Sequence, residues 1–345
     1  MTLYSEIMEQ PQRVNDLLRA QRANIEKIAA EIKKRDIRFA FLAARGTSDN
    51  AARYANYLLG SMNRIPLALA TPSLFTYYRQ PPLLRDALVM GISQSGQSPD
   101  IISVLEEGKR QGCLTIAITN EPDSPLATTA DFVIDIQAGD EQAVAATKTY
   151  TSQLMAVAML ATALDGGDRH WQELDRVADW MKQSLQLNDR IAQIVPRFRY
   201  IDHTVVLGRG FNYCTAFEWA LKLKELTYTV AVPYSFADFQ HGPIALVERG
   251  FPVMVISPLG EVYQPSLEML SRLKQDFHAE LVIISNDQAA LDLAKSPITM
   301  PGGIPEWLSP LVSILPAQLF TYHLTVEKGY DTEQPRSIHK ITETN

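Results

Sequence analysis

Short apolar runs alternate along this chain with longer stretches of helical periodicity. Arg38–Ala44, Ala87–Ile92, Leu114–Thr119 and Phe132–Ile136 have the length and composition of strands buried on both faces of a parallel sheet. Thr204–Leu207, Pro252–Ile256 and Leu281–Ser285 repeat the pattern later. Residues 4–34 predict a helix, interrupted near Pro11, with Ile7, Val14, Leu17, Leu18, Ile25, Ile28 and Ile32 on one stripe. Asn50–Leu59, Asn212–Tyr228 and Gln264–Phe277 also read as helices, Ala143–Leu164 as a buried one, and Trp171–Val195 as an amphipathic linker. Ile304–Glu327 predicts a last helix, tempered by Pro310 and Pro316. Strands alternating with helices predict βαβ units and an α/β fold.

The later series copies the earlier one. Arg45-Gly46 and Arg209-Gly210 both follow a first strand, and 209 − 45 = 164. Ile92-Ser93 and Ile256-Ser257 both close a second strand, and 257 − 93 = 164; Gln153-Leu154 and Gln318-Leu319 recur at 165. The expected architecture is two tandem subdomains, each a parallel sheet flanked by helices in a flavodoxin-like three-layer sandwich. They would span 36–170 and 197–330, with an N-terminal helical arm 1–35, a linker helix 171–196 and a C-terminal tail 331–345.

One junction carries chemistry. After Ala87–Ile92 comes Ser93-Gln94-Ser95-Gly96-Gln97-Ser98, then Pro99 and Asp100 opening a helical pattern. Ser98 is placed to N-cap that helix and Pro99 to occupy its first position. Strand, hydroxyl-rich loop and helix N-terminus together suit an anion. With neither the Walker spacing nor GxGxxG, a single phosphate is the expected guest. The plain alternative is a polar αβ connection that binds nothing. Thr47 and Ser48 lie at a second such junction. In the later copy the loop reads Ser257-Pro258-Leu259-Gly260-Glu261-Val262, and its hydroxyl cradle is gone.

Composition narrows the partners. The net charge of −7 over 345 residues argues against nucleic acid or an anionic membrane surface, so an anionic substrate must be attracted by local groups. The longest clean apolar run, Met155–Leu164, is too short to span a bilayer, and the start MTLYSEIMEQPQ has no signal-peptide pattern. Cys113 and Cys214 give no metal spacing or disulfide framework, and six scattered histidines form no ligand cluster. A cytoplasmic protein without cofactor or metal is the expectation.

SQSGQSPD at 93–100 resembles the SQSGETxD phosphate loop of the sugar isomerase (SIS) domain family. The order of further motifs is similar to the isomerase half of glucosamine-6-phosphate synthases. Tyr4–Pro11 resembles the segment before their first SIS domain, Arg45–Ser48 their CGTS turn, and Val144–Gln153 (VAATKTYTSQ) their VASTKAFTTQ. Phe217–Tyr228 (FEWALKLKELTY) resembles LEGALKLKEISY, Gln240–Leu246 (QHGPIAL) resembles KHGPLAL, and Asp331–Lys340 (DTEQPRSIHK) resembles DVDQPRNLAK. Arg45 stands where the family has cysteine, Gln97 where it has glutamate and Ala146 where it has serine. The chain goes almost directly from Met1-Thr2 to its first SIS segment, an arrangement similar to SIS-type glucosamine-6-phosphate deaminases, which lack the synthase's glutaminase.

The resemblance implies an amino-sugar-phosphate deaminase or isomerase acting on glucosamine 6-phosphate or a close relative. Glu225 would be the base moving a proton between C1 and C2; without the LKLKE context it would read as half of an i,i+3 ion pair with Lys222. Lys222 would contact the sugar and Glu218 orient the site. His241 would open the ring, reaching the neighbouring subunit's site in a homodimer. Lys340 would form a Schiff base, which requires an amine desolvated or near another cation. Ser93, Gln94, Ser95 and Ser98, with Thr47 or Ser48, would hold the phosphate, and Val144 would touch substrate. Two alternatives are a sugar-phosphate-binding regulator, which would need neither base nor imine lysine, and a fructosamine-phosphate deglycase.

Overall fold

The computed structural model describes residues 2–340, which divide into two compact units. The first comprises residues 9–141, 146–176 and 339–340; the second comprises 2–8, 142–145 and 177–338.

The main helices in chain order are α1 (Leu3–Lys33), α2 (Gly46–Asn63), α3 (Pro99–Arg110), α4 (Lys148–Asp165), α5 (Tyr213–Thr227), α6 (Tyr263–Gln275) and α7 (Ser309–Glu327). The strands of the first unit are β1 (Phe39–Ala43), β2 (Leu67–Leu69), β3 (Ala87–Ile92), β4 (Leu114–Thr119) and β5 (Phe132–Asp135). They form one sheet in the order β2-β1-β3-β4-β5, every pairing parallel. The second unit carries β6 (His203–Gly208), β7 (Val230–Ser235), β8 (Pro252–Ile256), β9 (Glu280–Ser285) and β10 (Ser296–Thr299), all parallel in the equivalent order β7-β6-β8-β9-β10.

Each unit is thus a helix-flanked five-stranded α/β sandwich, and the two are repeats. Even the register is shared: Phe41 pairs with Val89, and Val205 with Val253, where 205 − 41 and 253 − 89 both equal 164. Phe41, Ala43, Val89 and Ala117 belong to the core of the first unit. Val205, Leu207, Val253 and Leu281, at the same offset, belong to the core of the second. A fully buried Val or Leu contributes about 1.5–3 kcal/mol, so the repeated apolar pattern fixes both sheets.

Several expectations need correction. Residues 171–195 form no single helix but Asp168–Leu174, Val177–Leu185 and Asn188–Ile194, followed by a 3₁₀ turn, Val195–Phe198. Tight i→i−3 bonds at Arg176, Gln186 and Leu187 make the breaks, and each piece buries its own apolar residues, Trp171 and Leu174, then Val177 and Met181, then Ile191 and Ile194. The helix expected from Ala143 begins at Lys148. Residues 142–147 are held out of it by carboxylates. Glu6 accepts from the N–H groups of Gln142 and Ala143, and Glu141 from those of Thr147 and Thr149. Conversely, α1 passes unbroken through Pro11, its buried stripe outweighing the lost hydrogen bond. No helix among the described residues is long and apolar enough to cross a membrane.

Candidate functional site

In a sheet of this order the chain leaves β1 and β3 toward opposite sides, and ligands of such folds bind in the crevice outside those strand ends. In the first unit that crevice is flanked by Arg45–Ser48 and Ser93–Ser98, so topology brings together the two junctions picked out by sequence. Gly96 makes the second loop possible. Its φ is +62°, and a Cβ there would lie 2.0 Å from Ser124 Oγ. The Ser93 hydroxyl accepts from the Gly96 N–H at 3.1 Å, and that of Ser95 from the Gln97 N–H at 3.3 Å. A hydroxyl that accepts from the backbone keeps its own proton to donate. Ser98 occupies the expected cap position, but its side chain makes no cap bond, a correction that leaves this hydroxyl available as well. Ser48 is buried and accepts from Gln153 Nε2 at 3.0 Å, while Thr47 is half-buried in the first turn of α2. Arg45 spans the crevice, its Nε donating to Asp100 Oδ2 at 2.7 Å.

The duplicate crevice in the second unit is closed. Arg209 repeats the backbone of Arg45, with φ and ψ of −146° and 157° against −138° and 153°. Here, however, the Glu306 carboxylate enters the loop and accepts from the Glu261 N–H at 2.7 Å. Gly260 admits it, since a Cβ at that position would sit 2.2 Å from the carboxyl carbon. A cavity of about 10 Å³ remains, lined by Arg209, Asn212, Ser257 and Glu306 among others, too small for phosphate.

On α5, Lys222 Nζ lies 3.3 Å from Glu218 Oε1 and 2.6 Å from Glu225 Oε2. The spacing of four and three residues stacks all three on one helical face. Lys222 and Glu218 are buried, at 2% and 0% exposure, whereas Glu225 keeps 22%. The plain ion-pair reading therefore holds in part, but its lysine is an interior charge that fixes one carboxylate near the surface. Arg336 extends from the 331–338 segment onto the C-terminal end of the same helix: its N–H donates to Tyr228 Oη at 2.9 Å and its guanidinium stacks 3.9 Å from that ring. His241 is exposed after the turn Phe236–Phe239, and its ring makes no hydrogen bond among the described residues. Val144 is half-buried in the segment held by Glu6.

Lys340 is largely withdrawn from water, its side chain 23% exposed. Its Nζ donates to Glu141 Oε2 at 2.6 Å, so this contact supplies a carboxylate rather than a neighbouring cation. Glu141 was not singled out by sequence, yet it is fully buried and also accepts from the Thr149 hydroxyl at 2.8 Å. Burial pushes its carboxyl up, but the Lys340 ammonium and the N–H groups of Thr147 and Thr149 outweigh this and hold it below the usual carboxylate range. Nothing local marked it: it lies six residues before Thr147, the N-cap of α4.

A model of the SIS domain matches residues 35–163 and 198–328, one copy in each repeat. The chain belongs to the SIS domain family. An SIS relative in sequence is a glutamine–fructose-6-phosphate aminotransferase (isomerizing) of Pyrococcus horikoshii, 32% identical over 98% of this chain and 57% of that protein. The chain thus spans little more than half the length of the curated relatives it matches. Among SIS structures, the C-terminal domain of the Francisella tularensis glucosamine–fructose-6-phosphate aminotransferase superposes with a TM-score of 0.88 at 30% identity, covering 96% of this chain and 98% of that one. A glucosamine-6-phosphate deaminase from Thermotoga maritima shares the fold, with a TM-score of 0.80 at 20% identity and full coverage of both chains.

Proposed function

We propose that the chain converts glucosamine 6-phosphate, or a close relative, into fructose 6-phosphate and ammonia. The observation that carries this reading is the α5 cluster: a partly exposed carboxylate, Glu225, held by a buried ammonium that a second buried carboxylate compensates. Such a group is oriented for repeated proton transfer, and a sensor would have no use for it. The phosphate would rest on Ser93, Gln94, Ser95 and Ser98 with Thr47 or Ser48, Val144 would touch the sugar and Lys222 would contact it. His241 would move the proton that opens the ring. Glu225 would then take the proton from C2 and return it to C1, leaving an imine at C2. Water, directly or after exchange with the Lys340 amine, would release ammonia and leave the ketone. For Lys340 this requires the Glu141 pair to separate. Incubated with this polypeptide, glucosamine 6-phosphate is expected to yield equal amounts of ammonia and fructose 6-phosphate. Silence toward a panel of hexosamine 6-phosphates would overturn the reading.

The exposed His241 ring supports a homodimer in which each site borrows this residue from the partner. Mixing inactive Glu225→Gln and His241→Ala chains under exchange conditions should restore part of the activity, because one site of each mixed dimer then carries neither lesion. Exchange without recovery would place His241 elsewhere in the mechanism.

A further inference from the structure

We propose that Arg45, where the family motif has cysteine, is the cation that selects a doubly charged phosphate ester in the first-unit crevice. The inference rests on the sugar-phosphate reading and adds the group that discriminates the ligand's charge. A phosphate dianion entering a chain of net charge −7 needs a local cation, and residues 93–98 offer only hydroxyls, amides and backbone. The groove on which Gln94, Ser95 and Gln97 meet residues 121–124 has the wrong sign, being lined by Glu121 and Asp123. Arg53, farther along α2, is paired with Asp49 at 2.9 Å.

Arg45 fits the need by construction. Its side chain is 48% exposed, while Asp100, in the first turn of α3, is 0% exposed and grips the Nε edge. A buried carboxylate on one edge of a guanidinium fixes its plane, and the Nη edge keeps the paired donors that match two phosphate oxygens. Asp100 is itself set by the Ile101 N–H at 2.9 Å.

The second repeat supplies an independent comparison. Arg209 stands at the equivalent position with the same backbone conformation, but 100 + 164 = 264 is Gln264, so the aspartate that orients the arginine is missing. In that copy the cavity is lined by Arg209 together with an internal carboxylate, Glu306, which accepts from the Glu261 N–H. The chain's own carboxylate occupies there the place that an external anion takes beside Arg45. The aspartate clamp and the hydroxyl loop occur together in the open copy and are lost together in the closed one.

Calorimetric titration with fructose 6-phosphate and with inorganic phosphate tests this. Arg45→Ala is expected to weaken both about 10- to 100-fold, and in turnover the loss should fall on KM more than on kcat. The wild type should bind more tightly as pH rises through about 6, where the ligand gains its second charge, and the variant should lose that gain. Arg45→Lys should recover the pH dependence but only part of the affinity. Should the unpaired Asp100 impair folding, the double variant Arg45→Ala/Asp100→Asn carries the same expectation without a stranded charge. Wild-type affinity and pH dependence in these variants would overturn the role of Arg45 and leave the sugar-phosphate reading standing. Failure of the wild type to bind either ligand would overturn both.

Discussion

Replacing Glu225 by glutamine is expected to lower turnover 10²–10⁴-fold, the usual contribution of a positioned base, while barely changing substrate affinity. The amide keeps the volume and can still accept from Lys222 through its oxygen. The buried ammonium also retains Glu218 at 3.3 Å, so the variant should fold and give a denaturation midpoint near that of the wild type. Glu218→Gln provides the contrast. It removes the fully buried partner of Lys222, so its main cost should be stability. Stopped-flow turnover and urea denaturation of the two variants separate the roles. A fully active Glu225→Gln protein would remove this residue from the chemistry.

The helix carrying this cluster was legible because LKLKE is a local pattern on a strongly periodic stretch. β1, β3, β4, β6, β8 and β9, inside the sheets, were legible for a similar reason, and so was β5, an edge strand that reads as a proline-free apolar run. β2, β7 and β10 were not. They are edge strands, one only three residues long, and the other two contain Pro233 and Pro297, which a central strand would not tolerate. The pairing of Lys340 with Glu141 was illegible because the two are far apart in sequence and the burial of a loop carboxylate depends on the packed fold. Arg45 stood out as a departure from the motif, but its aspartate clamp emerged only once β1 and β3 were adjacent. Glu306 lies well beyond the loop it fills, and nothing local marks it.

Glu141 is the second position where a large effect is expected. Glu141→Ala removes the acceptor for two backbone N–H groups, one hydroxyl and one ammonium. Each buried donor left unpaired costs about 1–3 kcal/mol, and breaking a buried ion pair costs about 3–5 kcal/mol, so a loss of at least about 3 kcal/mol is expected in chemical denaturation. The pH dependence has a definite sign. The folded Glu141 carboxyl lies below its ordinary value, so its contribution is present above the unfolded value of about 4.3 and is lost as pH falls through the folded one. Lys340→Met removes the main opposing charge and lets burial dominate, so the folded carboxyl moves above its unfolded value and Glu141 then lowers stability as pH rises through about 4.3, opposite in sign to the wild type. Superimposable stability–pH curves for wild type and Lys340→Met would show that the pair contributes nothing in solution.

The carboxylate of Glu306 lodged in the duplicate crevice has a consequence for how the chain can respond to ligand concentration. Duplication gave each polypeptide two crevices of the same ancestry, but one is filled from within by Glu306. On the proposed reading, titration with fructose 6-phosphate is therefore expected to saturate a single chain with one equivalent along a simple hyperbola. On that reading, a Hill coefficient above one in equilibrium binding is expected to require coupling between separate copies of the polypeptide.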